Sequence, residues 1–499
     1  MKLLTLKATI FLIVAFTFTS LAQFKNNIWM WGRNNQDTTS FPWGATKITF
    51  SQNASMIEVD TNVNMNIKGT YSGLGTADGQ YFIYTNGYTI CNKYHDTISN
   101  GAGLTPGGND SIYESWGIPV PFNALLLPYP GSDRLMVMIS ADNYYENGIY
   151  CAKNIFYNLI DPSGNNGKGI VLVKNQILLT DTLTNAGFVA TRHANGRDWW
   201  VLIKRYSLND FAEILVTVNG PELMGFESLP GPFGEQGGQG SFSPNGKYLA
   251  YFSNSYQFRI YDFDRCNGQL SNMRYKYITP FTGGGLAFSP NNRYLYLCKW
   301  DSLWQFDMEA PDIMGSKTFI DKIDLNTPDP VTGWLSGWCY MYAAADGKIY
   351  VQNFSGVMLN VINNPDMPGQ SCNFVQNQIQ CPTYYYATVP TYVNLNLMQE
   401  PGSPCDTLGV GNEEIKIKNQ QLKIAPNPSN GNISIEFPVQ EISGMLYVYD
   451  VNGKLVYSEY VSPYTYIKNI NLQGKLGRGM YALSMVFGEE RFMGRMVVN

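Results

Sequence analysis

Histidine is nearly absent. His95 and His193 are the only two in 499 residues, far apart in the sequence, where a histidine-ligated metal or an imidazole base would need partners close by. Charge is scarce too. Asp, Glu, Lys and Arg make up 15% of the chain, against about 25% in an average soluble protein. The 34 basic residues are outnumbered by 39 acidic ones, which removes the basic footprint that nucleic acid requires. Cysteine is sparse: Cys91, Cys151, Cys266, Cys298, Cys339, Cys372, Cys381 and Cys405 are too few to frame so long a chain with disulfides. There is no HExxH, no cysteine pair at zinc spacing and no G-x-S-x-G elbow. The text "GWLSGW" at 333–338 lacks the elbow spacing. The glycine-rich "GPFGEQGGQG" at 231–240 lacks the Lys-Ser/Thr that ends a phosphate loop. It reads as a loop entering a strand. No catalytic residue, cofactor or metal is expected from these absences. Beyond the N-terminus no apolar run approaches the ~20 residues of a transmembrane helix.

What is there begins with an export signal. Residues 1–22 carry Lys2 and Lys7, an apolar run from Ala8 to Phe18, and Ser20-Leu21-Ala22. This reads as a secretory signal peptide cleaved between Ala22 and Gln23. In an exported chain the two cysteines closest in sequence, Cys372 and Cys381, are expected to pair.

The body, 23–398, repeats itself. "SPNGKYLAYFSN" begins at Ser243 and "SPNNRYLYLCKW" at Ser289, with looser copies from Ala77, Ala194 and Ala345. Proline pre-sets the first turn torsion. Gly246, or Asn292 in the second copy, accepts a positive φ. The flanks are aromatic and β-rich, with no helical period. Such turns stand at Asp78-Gly79, Gly131-Ser132, Asn195-Gly196, Asn245-Gly246, Asn291-Asn292 and Asp346-Gly347. A period near fifty with several short strands per unit predicts β-propeller blades. The expected fold is all-β: about seven four-stranded blades, the seventh assembled from Cys372–Leu397 and an early strand within 45–60.

Residues 399–420 read as a linker and 421–499 as a small β-sandwich, with strands expected at 433–437, 445–450, 454–460, 466–472, 480–487 and 491–498. This segment carries Pro426-Asn427-Pro428 with Gly431, then Asp450 and Gly453 within "YDVNGK", then Gly479 and Tyr481 in "GMY", and a basic-apolar finish. In these motifs it resembles the type A sorting domain of the type IX secretion system of Gram-negative bacteria. The resemblance implies handling by that machinery, export across the outer membrane to the cell surface or beyond, and in many members removal of the tail with attachment of the body to surface lipopolysaccharide. The body is similar, in segments such as "IWMWGRN" at 28–34 and "ADGKIYVQNFSG" at 345–356, to WD-repeat-like propellers of gliding bacteria. Six Asp-Ser/Thr-x tripeptides, from Asp37, Asp96, Asp110, Asp181, Asp301 and Asp406, resemble the O-glycosylation sequon of these bacteria and equally suit ordinary turns.

Two functional classes remain open. The first is a non-catalytic binding or adhesion module for glycan or protein, using loop aromatics such as Trp116 in "NDSIYESWGIPVPF" and Trp334 in "DPVTGWLSGWCYMY". The second is a secreted hydrolase of polysaccharide or peptide, which would need two carboxylates about 5–10 Å apart in a pocket.

Overall fold

The recurring turn is one hydrogen-bonded unit. In the first copy Gly246 N donates to Ser243 O (2.8 Å) and Tyr248 N to Ser243 Oγ (3.0 Å), while Asn245 Oδ1 accepts from Lys247 N (3.0 Å). In the second, Asn292 N donates to Ser289 O (3.0 Å), Tyr294 N to Ser289 Oγ (2.8 Å), and Arg293 N to Asn291 Oδ1 (3.0 Å). Gly246 and Asn292 sit at φ 71° and 69°, the left-handed region that glycine and asparagine tolerate. The same chemistry therefore makes the same hairpin wherever it recurs.

The structure is a computed structural model and describes residues 24–33, 44–51, 54–63, 65–76, 78–108, 113, 115–146, 149–184, 187–206, 208–228, 238–253, 257–277, 284–323, 328–329, 331–391, 393–406, 422–440, 442–451, 454–487 and 490–499. The signal segment, with Ala22 and Gln23, lies outside them. The chain forms two compact units, 1–406 and 407–499.

In the first unit, after the short β1 (Phe24–Lys25), seven sheets follow one another along the chain. Blade A is β2 (Ile28–Arg33), β3 (Gly44–Ser51) and β4 (Ala54–Asp60). Blade B is β5 (Thr70–Thr76), β6 (Phe82–Thr85) and β7 (Ile90–Asn92). Blade C holds β8 (Ala124–Pro128), β9 (Met136–Ala141), the short β10 (Tyr144–Glu146), and the long β11 (Ile149–Asp161) and β12 (Ile170–Thr184). Blade D is β13 (Val189–Arg192), β14 (Trp199–Lys204), β15 (Asp210–Thr217) and β16 (Gly220–Ser228). Blade E is β17 (Gly238–Phe242), β18 (Tyr248–Ser253), β19 (Gln257–Phe263) and β20 (Leu270–Tyr277). Blade F is β21 (Gly284–Phe288), β22 (Tyr294–Lys299), β23 (Ser302–Asp307) and β24 (Thr318–Lys322). Blade G is β25 (Trp338–Ala343), β26 (Ile349–Asn353), β27 (Ser355–Ile362) and β28 (Phe374–Tyr386), and β29 (Val389–Pro390) follows.

Side chains alternate across a strand, so each blade has two apolar faces to cover. Seven buried clusters cover them, one between each pair of neighbours, and together they close a ring. Trp29, Trp31 and Phe50 of blade A meet Tyr342, Tyr350 and Tyr385 of blade G. From the opposite face of β2, Met30 meets Tyr71 and Tyr84 of blade B. The series continues from B to C through Leu74 and Leu126, C to D through Val137 and Val201, and D to E through Trp200 and Tyr251. It ends with E to F through Phe252 and Leu297, and F to G through Cys298 and Trp338. The body is a seven-bladed β-propeller.

The seventh blade differs from expectation. It is blade A, made wholly of residues 28–60 and only three strands wide. Residues 374–386 instead form the outer strand of blade G, because their alternating apolar positions pair with β27. All six sequence turns lie between the first two strands of blades B to G. The equivalent β2–β3 connection falls in 34–43, outside the described residues. Closure uses both ends, as the sequence suggested, but on blade B. There, β1 pairs antiparallel with one half of β5 (Phe24 with Thr76) and β29 pairs parallel with the other half (Val389 with Thr70). Both halves of the β5 edge are thereby covered, which removes an exposed strand edge.

Beyond β29 the chain turns back across the propeller; of the expected linker, 399–420, only 399–406 lies among the described residues. Asn26 Nδ2 donates to Val393 O (2.7 Å), Asn394 Nδ2 to Pro244 O (2.6 Å), and Glu400 N to Ala194 O (2.8 Å). The buried Arg265 guanidinium donates to Arg192 O, His193 O and Met398 O. This strap ends in a disulfide between Cys266 and Cys405. The expected Cys372–Cys381 bridge is not formed; both are buried free thiols. Cys372 closes a 3-10 turn in the F–G cluster, and Cys381 faces the A–G cluster. Between them β28 advances about 3.3 Å per residue, carrying the pair far beyond the about 7 Å Cα limit for bridging.

The second unit is a two-sheet sandwich. One sheet is β30 (Lys423–Ala425), β31 (Asn432–Glu436) and β34 (Ile467–Asn471). The other runs β33 (Leu455–Val461), β32 (Gly444–Tyr449), β35 (Gly479–Phe487) and β36 (Glu490–Val498). Leu446, Val448, Leu483, Met485 and Phe487 fill the space against Ile433, Ile435 and Ile470. The strands fall within a residue or two of their sequence positions.

Candidate functional site: a central cavity and an aromatic face

The inner strands enclose a cavity of about 710 Å3, lined by Phe24 to Asn27 beside β1, by Phe122, Phe188 and Phe288, and by Thr391 and Asn394 to Asn396 of the strap. Gln239 fixes its wall: Oε1 accepts from Leu286 N (3.1 Å) and Met341 N (3.2 Å), and Nε2 donates to Met341 O (2.7 Å). Lys25 is the one charged residue among the described lining residues. Among the described residues the cavity wall presents no carboxylate pair and no imidazole.

The two histidines are held separately by local structure. His95 Nδ1 bonds Tyr84 OH (2.9 Å) and Nε2 meets Asp60 (3.1 Å), tying blade A to blade B. His193 Nε2 bonds Cys266 O (2.9 Å). Cys91 is buried in the A–B cluster. Among the described residues no three potential ligands gather as a metal site. The strap borders a second, open groove of about 530 Å3 containing Asp262, Asp264 and Glu400. Asp262 is engaged by Arg274 and Asn272, and Asp264 Oδ1 accepts from Cys266 N (2.8 Å). The "DPSGNNGKG" segment, 161–169, is the β11–β12 turn, where Asp161 Oδ1 accepts from Ser163 N and Oγ. Of the Asp-Ser/Thr tripeptides, Thr97 and Thr182 are exposed while Ser302 is buried.

One carboxyl stands apart. Glu213 on β15 is buried at the D–E side, between Phe211 and Leu215 in the strand. Burial, then the neighbouring Glu227, push its pKa up to about 8. The native state keeps a proton that the unfolded chain releases near pH 4.3. Stability should therefore fall as pH rises from about 4.5 to about 8, and level off above. Glu213→Gln is expected to remove this slope, gaining on the order of 1–3 kcal/mol over the native chain at pH 8 and little at pH 4.5. Urea unfolding at the two pH values checks it.

The aromatic loops behave differently from the cavity. Trp116 and Trp334 are 37% and 47% exposed, whereas Trp338 is fully buried, so only the last is blade packing. The structure brings the two exposed rings to one end of blade G. Trp334 meets Tyr384 edge-on at 5.8 Å. Two residues on, Tyr386 holds Lys68 Nζ at 5.1 Å, and the same ammonium lies 5.5 Å from Trp116. Tyr150 of β11 extends the face. Its hydrogen bond with Tyr113, then partial burial, push its phenol up to about 12, with Tyr145 and Tyr386 close enough to add to the rise. The exposed Tyr145 ring lies 4.6 Å from Tyr150. The sequence singled out the tryptophans but not Lys68, Tyr386 and Tyr150, nor Tyr384, which is buried behind Trp334. The run "YYY" at 384–386 was the available signal, since alternation sends its middle ring, Tyr385, into the A–G cluster and the other two to the opposite side.

In the sandwich unit the quoted motifs are structural ties. Asn427 Nδ2 donates to Arg495 O (2.7 Å) and its Oδ1 accepts from Val497 N (2.9 Å). Ser429 N donates to Val497 O (2.8 Å). Gly431 (φ 99°) packs where a Cβ would stand 2.7 Å from Gln473 N. Lys454 N donates to Asp450 Oδ1 (3.0 Å), and Tyr481 OH to Gly477 O (2.9 Å). Pro426 and Pro428 bracket Asn427, and Gly479 opens β35. Gly453 lies outside the described residues.

A ring of seven blades followed along the chain by a small two-sheet sandwich defines a β-propeller protein with a separate C-terminal domain. Residues 423–499 match the family of secretion system C-terminal sorting domains. The tail is a type IX sorting domain, and the chain is handled by that machinery and delivered to the cell surface or beyond. Among curated proteins no sequence matches this chain. Among solved structures it is similar to the periplasmic gluconolactonase PpgL of Pseudomonas aeruginosa, at 11% identity over 72% of this chain and 99% of that one, with a TM-score of 0.41. It is also similar to the β-propeller domain of Myceliophteria thermophila Cps50 (10%; 62% and 90%; 0.37). A third is PorZ, a surface component of the type IX secretion system of Porphyromonas gingivalis (12%; 91% and 63%; 0.30). No helix among the described residues is long and apolar enough to cross a membrane.

Proposed function

We propose that the protein is a non-catalytic binding module displayed by the type IX system, which engages a glycan or protein surface through its aromatic face. The observation that carries this reading is the row Trp334, Tyr384, Tyr386, Lys68 and Trp116, with two exposed tryptophans at its ends. Rings of this kind stack on apolar sugar faces or fill pockets on a protein, and their polar edges orient the ligand. The propeller holds them on a rigid frame. Once the tail is removed, attachment of the body to surface lipopolysaccharide would keep that face at the cell exterior.

The test is a glycan array and a panel of immobilised surface proteins, probed with the exported protein. Trp116→Ala and Trp334→Ala should each weaken attachment to the ligand found by about tenfold, with melting temperatures within about 2 °C of the native protein. A collapse in stability would make the rings core residues. Unchanged attachment would move the site elsewhere.

The alternative reading is a hydrolase of polysaccharide or peptide, for which Glu213, held protonated beside Glu227, is the candidate acid although the pair lines neither the cavity nor the groove. Turnover by the purified protein that Glu213→Gln abolishes would put this reading in place of the first.

A further inference from the structure

The sorting sandwich is sealed on one side and open on the other. On the sealed side the edge strands β30 and β36 are knitted by Leu422 N donating to Met493 O (3.0 Å), Ser429 N to Val497 O (2.8 Å) and Asn499 N to Ser429 O (2.9 Å), with the Asn427 amide adding both of its bonds. On the open side lie β33 and β34, each terminal in its sheet and joined by 462–466. Here Leu455, Tyr460, Tyr464, Tyr466 and Ile467 are 40%, 55%, 71%, 63% and 38% exposed. The Glu459–Lys468 ion pair (2.8 Å) neutralises its own charge. Natural domains blunt such edges with charge, proline or a covering loop, because a free edge recruits another strand. Here the Lys468 ammonium caps one β33 carbonyl, Tyr460 O (3.0 Å), and Pro463 stands in the joining loop; the large side chains left exposed along the rest of the edge are neutral aromatic and aliphatic ones.

We infer that the β33 edge is the surface by which the export machinery receives this chain, through an extended apolar segment of the machinery adding as a strand beside β33. The inference rests on the sorting role of residues 423–499. That role requires the tail to be recognised, and the motif-rich side is occupied by its own internal bonds. Strand addition takes affinity from backbone hydrogen bonds and specificity from alternate side chains. With charge neutralised along this edge, the fitting partner is an uncharged apolar strand and not an acidic or basic one.

The test compares two full-length variants, Tyr460→Lys/Tyr466→Lys and Met480→Lys, with a chain lacking 421–499, all in the native host. Met480 is also exposed, at 50%, but lies on the interior strand β35. The double lysine variant should lower the surface-displayed fraction by about tenfold, with periplasmic accumulation and an unchanged melting temperature. Met480→Lys should be displayed normally and the truncated chain not at all. Should the lysines lower the melting temperature, Tyr460→Ser/Tyr466→Ser carries the test with the same expected result. Normal display of the edge variants beside a trapped truncated chain overturns the edge assignment and leaves the sorting role intact. Equal loss in Met480→Lys overturns it as well. So does a native chain that is a dimer in solution and becomes monomeric in the edge variants, since the occupant is then a second copy.

Discussion

Deleting residues 421–499 is expected to abolish surface display while leaving a folded propeller trapped in the periplasm. The two halves of this expectation have separate causes. The body closes without the tail: β1 and β29 complete blade B, the strap is bonded as far as Glu400, and the disulfide at Cys405 precedes the boundary of the second unit. Among the described residues, the seven clusters between blades are built wholly from the first unit. The sandwich in turn carries its own core. Truncation should therefore leave the thermal transition of the body within about 2 °C. Export should fail, because the sorting domain lies wholly within the deleted segment. Fractionation, together with protease shaving of intact cells, reads the location. Truncated chain found at the surface in native amounts would contradict the delivery role of the tail. Truncated chain degraded in the periplasm with a lost transition would contradict the independence of the body.

The parts of this protein that sequence made legible are those whose hydrogen bonds are local. The SPNG and SPNN turns bond within six residues, so their residues announce the hairpin wherever it occurs. The C-terminal strands were readable for a similar reason, with short strands and Asn-Gly or Asp turns marking their ends. Blade A was missed as a unit because the connection that would carry its turn, 34–43, has no SPNG text. Its identity lies in alternation instead: Trp29 and Trp31 face one neighbour while Met30 faces the other. The aromatic face was half legible. Trp116 and Trp334 stood out in loop text, but their partners come from β28 and from Lys68, brought together only by closure of the ring. Glu213 gave no local signal at all, since a carboxyl in a strand looks solvent-facing until the next blade covers it.

Separating Cys266 from Cys405 is expected to produce the largest loss of body stability available from a conservative change. The bond spans 139 residues, from blade E to the end of the strap, a distance in sequence that no spacing argument could anticipate. In the chain-entropy account a closed loop of that size restricts the unfolded chain enough to contribute roughly 4–5 kcal/mol. Without it the strap still has the Arg265 bonds to Arg192 O, His193 O and Met398 O and the Glu400 N to Ala194 O bond. Each of these contributes only about 0.5–3 kcal/mol, and β29 holds β5 through two residue pairs. Cys266→Ser/Cys405→Ser should therefore lower the unfolding free energy by about 3–5 kcal/mol and make residues 398–406 the first site of proteolytic cleavage. Denaturant unfolding of the oxidised protein against the double variant measures the first effect, and limited proteolysis with mass spectrometry the second. The non-reduced native digest should contain the 266–405 linked peptide, with Cys372 and Cys381 both recovered as thiols. A loss below about 1 kcal/mol with the strap still resistant would assign closure to the Arg265 bonds and β29 alone, and the Arg265→Ala chain would then be the one to unfold early.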